Sequence, residues 1–454
     1  GSICLIKDLE DMNIMNKRFC ILLFTLLMVV AVKAQPMLSI EEAVAATLKS
    51  NFDIQLLKND SAGYALNNSY AKAAFWPRVN ATTGAVFNHN NQNQKLADGT
   101  KRKANNIRSG NINSSVNLNW LVFDGFKMFV TKVKLAEYVK LGDLTIKNQV
   151  VNSIAAVINS YYRIVKEKQQ LKSIEEQMGI NEERVKQAEK KLSVGLGAKP
   201  ELLQAKLDLN AQKANKLIQQ TLIEQVKEDL NQLLGFAQGT LYEVADSIPI
   251  NKNIIVADVM GTAENSNTDL LVAKQNIQLA QLTLKEKKAD RYPTVSLVSA
   301  YNFSRANNHS VINPFTPLFS QNYGFNYGIS VNIPVFNNYN VKRQIQTAQL
   351  DLNYQQLLYN YKKFSTGIAI SKAYKNYELQ KKTLQLEEEN IMLAKENVTI
   401  ALERNRLGLT TILELRETQK SLEDAYNRLI LARYGAKQAE TELLRLKGDF
   451  AKPE

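Results

Sequence analysis

The feature that most constrains this chain is that it contains the same pattern twice. Gly195 is followed six residues later by Glu201-Leu202, and Gly408 six residues later by Glu414-Leu415, an offset of 213. The same offset pairs Gly235, closing Asp-Leu-Asn-Gln-Leu-Leu-Gly, with Gly448, closing Leu-Leu-Arg-Leu-Lys-Gly, and it pairs Phe123 with Phe336. Upstream the offset is 216, matching Asn51-Phe-Asp-Ile to Asn267-Thr-Asp-Leu and Phe75-Trp-Pro-Arg-Val to Arg291-Tyr-Pro-Thr-Val. Ordered agreement at this many landmarks implies a duplication. The expected organisation is a leader and signal peptide at 1–34, a first structural repeat at 35–250 and a second at 251–454. The two repeats are expected to form one intertwined domain.

Each repeat reads as a helix ending near a proline (residues 40–74 and 266–289), two strands joined by a polar loop, then two helices meeting at a glycine turn. In the first pair of strands Val79, Ala81, Thr83, Ala85 and Phe87 alternate with polar residues, as do Val116, Leu118, Trp120 and Val122. In the second pair Val295, Leu297, Tyr301 and Phe303 share a face, and so do Tyr327, Ile329, Val331, Ile333 and Val335. Period-two patterning of this kind puts every apolar side chain on one side of a sheet. Segments of about ten residues cross a bilayer when tilted, and long asparagine-rich loops, expected at 90–114 and 304–322, are typical of outer-membrane barrels. Four strands cannot close a membrane barrel, which needs about eight at least, so other copies must satisfy the edges.

The helical segments carry heptads. Leu144, Val151, Ile158 and Val165 recur with Ile154 and Tyr161 between the later ones, and the phase slips and resumes at Leu171, Met178, Val185 and Leu192. Ile370, Tyr377, Leu384, Ile391 and Val398 keep the same spacing, as do Leu415, Leu422, Leu429, Ala436 and Leu443, beside a second seam of Thr418, Ala425, Ala432, Ala439 and Leu446. Sustained seven-residue spacing means left-handed, knobs-into-holes packing. Residues 126–194 alone would make roughly 100 Å of helix at about 1.5 Å per residue.

Met15-Asn-Lys-Arg-Phe followed by the apolar run 20–32 and Val32-Lys33-Ala34 reads as an export signal, with a mature start near Gln35 and residues 1–14 as upstream read-through. Both cysteines, Cys4 and Cys20, precede that cut, so no disulfide or thiol chemistry is expected afterwards. The net charge of +13 is spread among glutamates on helical faces, without a basic block interleaved with aromatics, which argues against nucleic acid as a partner. The two histidines, His89 and His309, fall in the expected polar loops and have no neighbouring ligand set. No nucleotide loop, nucleophile elbow or metal spacing is present, so neither an enzyme nor a cofactor is expected.

Leu38-Ser-Ile-Glu-Glu-Ala, Asn119-Trp-Leu-Val-Phe-Asp-Gly and the paired glycine turns with their Glu-Leu resemble the TolC-like outer-membrane efflux proteins over essentially the whole mature length. The fold class expected is mainly α with membrane β: a long α-helical coiled-coil barrel plus four strands per chain. The resemblance implies a homotrimer with a 12-stranded β-barrel in outer-membrane lipid. A tunnel across the periplasm would meet an inner-membrane RND or ABC transporter through a periplasmic adaptor protein. Such a duct is passive and conducts small molecules or a secreted protein. The resemblance also implies adaptor contact at Val194, Gly195, Leu196, Leu407, Gly408 and Leu409. It implies a pore constriction at Glu414 and Glu417, with Glu201 a weaker candidate. Glu414 and Glu417 share a helix face, and threefold symmetry would turn each into a carboxylate ring that attracts cations. Acidic residues in a first helical turn also favour the helix dipole, and that alternative stands beside the ring. Asn405 and Thr410 stand where the best-known members carry gate partners. The rival architecture for such helices is a soluble periplasmic coiled-coil adaptor or scaffold, which the amphipathic strands disfavour.

Overall fold

The computed structural model describes residues 37–251, 253–448 and 450. The signal-peptide reading of 1–34 and the start near Gln35 lie outside the described residues. A two-residue strand β1 (Met37–Leu38) leads into helices α1 (Ile40–Ser50) and α2 (Phe52–Ser69), then a 3₁₀ turn at Ala71–Phe75. Strands β2 (Arg78–Lys95) and β3 (Lys101–Phe123) precede α3 (Lys127–Ser193) and α4 (Lys199–Leu234). Strand β4 (Glu243–Val244) opens a second series: α5 (Val256–Ser266), α6 (Thr268–Ala289), β5 (Thr294–Asn308), β6 (Phe319–Asn332), α7 (Asn340–Arg406) and α8 (Ile412–Lys447). Helices α3 and α7 are each 67 residues long, and α4 and α8 are each 36. The chain is therefore mainly α with one substantial sheet.

Two compact units divide the described residues. One takes 37–55, 149–266 and 367–450; the other takes 56–148 and 267–366. Each draws segments from both 35–250 and 251–454.

The second unit holds a four-stranded antiparallel sheet in the order β2-β3-β5-β6. Its strands are longer than the sequence predicts. Much of 90–114 is strand, with the hairpin turning only at 96–100, and the second connection shrinks to 309–318. His89 thus sits within β2, and His309 directly follows β5. The reason is that backbone pairing continues past the point where apolar alternation stops. The ladder bonds are made by the backbone, so asparagine, serine and lysine can extend it where no face needs burying. Asn106, at φ 58°, marks a bulge where the β2–β3 register slips. At the other end Asp124 accepts the Met128 amide at 3.0 Å to start α3, and the Trp120 indole donates to the Phe75 carbonyl at 2.8 Å. Gly125, at φ 71°, lets the backbone pass where a Cβ would lie 2.6 Å from the Ala289 carbonyl.

In the first unit Ser39 and Glu42 form a reciprocal capping box at 3.1 and 2.9 Å, the physical content of the Leu38-Ser-Ile-Glu-Glu-Ala motif. The single helix predicted at 40–74 is interrupted at Asn51, whereas the one predicted at 266–289 forms as α6 and is preceded, across Asn267, by the unpredicted α5. Both side chains accept an amide of the next turn at 3.1 Å, so asparagine ends one helix and caps another. The heptad residues of α7 and α8 are buried as the spacing predicts, from Ile370 to Val398 and from Leu415 to Leu446, with only Thr418 half-buried. In α3 the upper seam differs. Leu171, Met178, Val185 and Leu192 are only half-buried, and the buried stripe is Ser173, Gln177, Asn181, Arg184 and Ala188. Arg184 finds polar partners there from α8 and α4, Gln419 and Asp208, which a hydrophobicity pattern cannot register.

Tyr161 of α3 is fully buried, donates to the Leu38 carbonyl at 2.8 Å and accepts the Ala245 amide at 3.1 Å. Burial pushes its phenol above the usual tyrosine range, so it remains a donor. Tyr161→Phe strands both backbone groups and should cost about 2 kcal/mol. The expected readout is a lower urea midpoint of the helical circular-dichroism signal, with the native spectrum unchanged.

Candidate functional site

The two long hairpins turn at Gly195 and Gly408, whose φ angles of 76° and 75° suit glycine. Both turns close in the same way. Leu196 donates to the Lys191 carbonyl at 2.9 Å and Leu409 to the Arg404 carbonyl at 2.8 Å, the six-to-one bond of a Schellman ending. Val194, Leu196, Leu407 and Leu409 are left well exposed, Leu196 at 84%. Bare leucine on a tight turn is costly in water, and it is available to an apolar partner.

The restarts differ. Helix α8 begins at Thr411, whose hydroxyl accepts the Glu414 amide at 3.2 Å. Helix α4 begins at Ala198 without a side-chain cap, and Pro200 occupies its first turn. Glu414 lies within the second turn: its carboxylate accepts from the Thr410 hydroxyl and lies 3.7 Å from the Arg404 guanidinium. Asn405 is buried and donates to the Thr410 carbonyl at 3.4 Å. Asn405 and Thr410 therefore brace this turn internally. Glu417 is exposed, with no ion-pair partner among the described residues. Glu201, half-buried, lines a water-sized cavity of about 20 Å³ together with Arg184 and Ala205 on one side and Asn405, Ile412 and Leu415 on the other. The structure thus brings Glu201 to the second hairpin's Asn405, while Glu414 and Glu417 stay outside that cavity.

Beside it is a cluster that the sequence reading missed. Arg184 of α3 is buried and reaches Asn181 at 3.1 Å, Gln419 of α8 at 3.2 Å and Asp208 of α4 at 3.3 Å. Asp208 also lies 3.5 Å from Arg416. Burial pulls the Arg184 guanidinium below the usual arginine range, and the Asp208 carboxylate opposes that shift. No local signal in the sequence marks it, since the apolar heptads Leu171, Met178, Val185 and Leu192 run past Arg184 without a break. Farther along, Tyr426 of α8 donates to Glu176 of α3, its phenol pushed up by burial, with the Lys395 ammonium 5.1 Å from its ring. These contacts tie the two hairpins of one chain together by charge as well as by apolar packing.

Asp208→Ala leaves Arg184 buried without its carboxylate and should cost about 3 kcal/mol, whereas Arg184→Leu with Asp208→Leu should recover most of that loss. Denaturant unfolding of the single and double variants checks this; equal losses would show that the pair is not coupled.

The comparisons with known proteins place this arrangement among channels. The Outer membrane efflux protein family matches residues 46–236 and 259–449. Outer membrane protein TolC of Salmonella enteritidis is 22% identical over 252 residues, 55% of this chain and 51% of that protein, so the match spans about half of TolC. Outer membrane efflux protein BepC of Brucella suis is 22% identical over 418 residues, 90% of this chain and 85% of that protein. The CmeC outer membrane channel of Campylobacter jejuni superposes with a TM-score of 0.72 at 14% identity, covering 90% of this chain and 85% of that one. These are channels and efflux proteins, not enzymes. The chain belongs to the outer membrane efflux protein family, TolC-like proteins of the Gram-negative outer membrane that extend into the periplasm.

Proposed function

We propose that three copies of this chain form a passive exit duct, receiving small molecules or a secreted protein from an inner-membrane RND or ABC transporter through a periplasmic adaptor. The observation that carries this reading is the sheet. It has four strands, two edges without partners among the described residues, and one face on which Tyr323, Phe325, Tyr327, Ile329 and Val331 of β6 are all exposed. In water such a face is a liability, and in lipid it is the expected surface. A bilayer forbids open sheet edges, so β2 of one copy must meet β6 of another, and three copies would supply twelve strands. No described helix is long and apolar enough to cross a membrane. Exposed Trp76, Trp120 and Tyr292 stand where the sheet joins the helices, as an aromatic girdle would.

In this reading 35–250 and 251–454 are two copies of one unit, each giving two strands and one hairpin. The matched helix lengths of 67 and 36 residues support it. The exposed side chains of Val194, Leu196, Leu407 and Leu409, set by Gly195 and Gly408, are the adaptor-docking points. Glu417, without an ion-pair partner among the described residues, is the principal acidic residue of the constriction. Glu414 contributes less because Arg404 and Thr410 already engage it, and Glu201 sits inside the packing.

The protein should fractionate with the outer membrane as a trimer that survives mild detergent and dissociates on heating. Recovery as a soluble monomer would overturn the duct. In planar-bilayer recordings Glu417→Gln should lower cation preference more than Glu414→Gln does. Unchanged selectivity in the double variant would leave these acids only their role at the helix start.

A further inference from the structure

Both histidines of the chain meet on one rung of the sheet. His89 of β2 pairs with Arg108 of β3, and on its other side Arg108 accepts the His309 amide at 2.9 Å through its carbonyl. Arg305 of β5 stands on the same face, opposite Ile112. The four side chains border a depression of about 270 Å³ with Phe87, Gly110 and Asn307. Its floor is built: the Phe87 ring lies over Gly110, where an added Cβ would approach to 3.1 Å. The Arg305 guanidinium is fixed over the Phe319 ring at 5.3 Å.

The position is as informative as the composition. Following β2 from Val79 to Phe87, β3 from Val122 to Ile112 and β5 from Val295 to Phe303, this face is largely apolar; the cationic rung comes immediately after. From Trp120 to Arg108 is twelve residues of strand, about 40 Å, or about 30 Å along the membrane normal at a typical barrel tilt. That is the thickness of the hydrocarbon core. Beyond the bulge at Asn106 the register keeps Lys95, Lys101 and Lys103 on the same face. Across 78–123 and 294–332 the sole acidic residue is Asp98 in the hairpin turn. The Arg108 and Arg305 guanidinium groups stand on this face beside the N–H donors of His89 and His309, and no described carboxylate shares the rung, so it is complementary to an anion.

We propose that His89, Arg108, Arg305 and His309 form a binding site for the phosphate groups of the phosphorylated glycolipid in the outer leaflet, lipopolysaccharide. The proposal rests on the outer-membrane barrel reading above. Arginine takes a phosphate bidentately, and each imidazole offers an N–H in either charge state. Phe87 and the apolar rungs below meet the acyl chains. Lys95, Lys101 and Lys103 extend the charge toward the phosphorylated sugars beyond.

The test uses the full-length protein purified in detergent. Lipopolysaccharide binding is compared with binding of the same lipid stripped of its phosphates, of phosphatidylglycerol, and of inorganic phosphate alone. Wild type should retain the phosphorylated glycolipid and bind the stripped lipid about tenfold more weakly or worse, as expected when charge-assisted hydrogen bonds are lost. Phosphatidylglycerol should bind more weakly than the glycolipid, and inorganic phosphate at millimolar concentration should not compete. Arg108→Gln with Arg305→Gln should reproduce the loss while the trimer still fractionates with the outer membrane. Equal binding of phosphorylated and stripped lipid by wild type would overturn the site even if the variant failed to fold. Equal or tighter binding of phosphatidylglycerol, or displacement by free phosphate, would overturn the glycolipid as ligand. An intact outer-membrane trimer whose lipid binding ignores the arginines would overturn the site and leave the duct standing. Absence of any outer-membrane trimer would overturn both.

Discussion

Backbone hydrogen bonding governs this protein more than side-chain packing does. Four strands in the order β2-β3-β5-β6 satisfy each other internally and leave two edges whose amides and carbonyls have no strand partner among the described residues. In lipid an unpaired peptide group costs several kcal/mol, so the edges dictate assembly. In the duct proposed above, a second copy at each edge and a continuous wall would follow from that one shortage. The helical part obeys a softer rule. Its heptads specify neighbours, and its ends are finished by local glycine, threonine and proline.

The parts of the fold legible in the sequence are those where burial imposes a period. The α7 and α8 seams, from Ile370 to Val398 and from Leu415 to Leu446, lie inside as their spacing requires. The apolar alternation of β2, β3, β5 and β6 locates the sheet. Legibility fails where satisfaction is polar. The hairpin from Asn90 onward pairs as strand without any hydrophobic signature, because outside a bilayer neither face must be apolar. The α1–α2 and α5–α6 breaks rest on single asparagines whose side chains replace a backbone bond, an event that periodicity averages away.

The same blindness touches the site. Arg184 and Asp208 are ordinary charges in a charged helical sequence until folding buries them beside Gln419. A charge on a solvated face and a charge in a core have identical local patterns; only the partner from another helix, far away in the chain, distinguishes them. His89 and His309 are 220 residues apart, and the strand register alone makes them members of one rung. What the sequence did expose at the turns was chemistry carried by the local backbone: glycine at positive φ, and acids at a helix start.

The unequal restarts of the two hairpins have a mechanical meaning. At the first, Pro200 restrains the backbone covalently, and no solvent fluctuation can release a ring closure. At the second, Thr411 holds the helix start through one hydroxyl bond, which water can replace at a cost of about 1 kcal/mol. Force applied equally to both ends would therefore be absorbed unequally. The proline-led end is held by a ring and the threonine-capped end by hydrogen bonds that water can exchange, the latter backed by the Asn405, Thr410 and Arg404 contacts around the second turn.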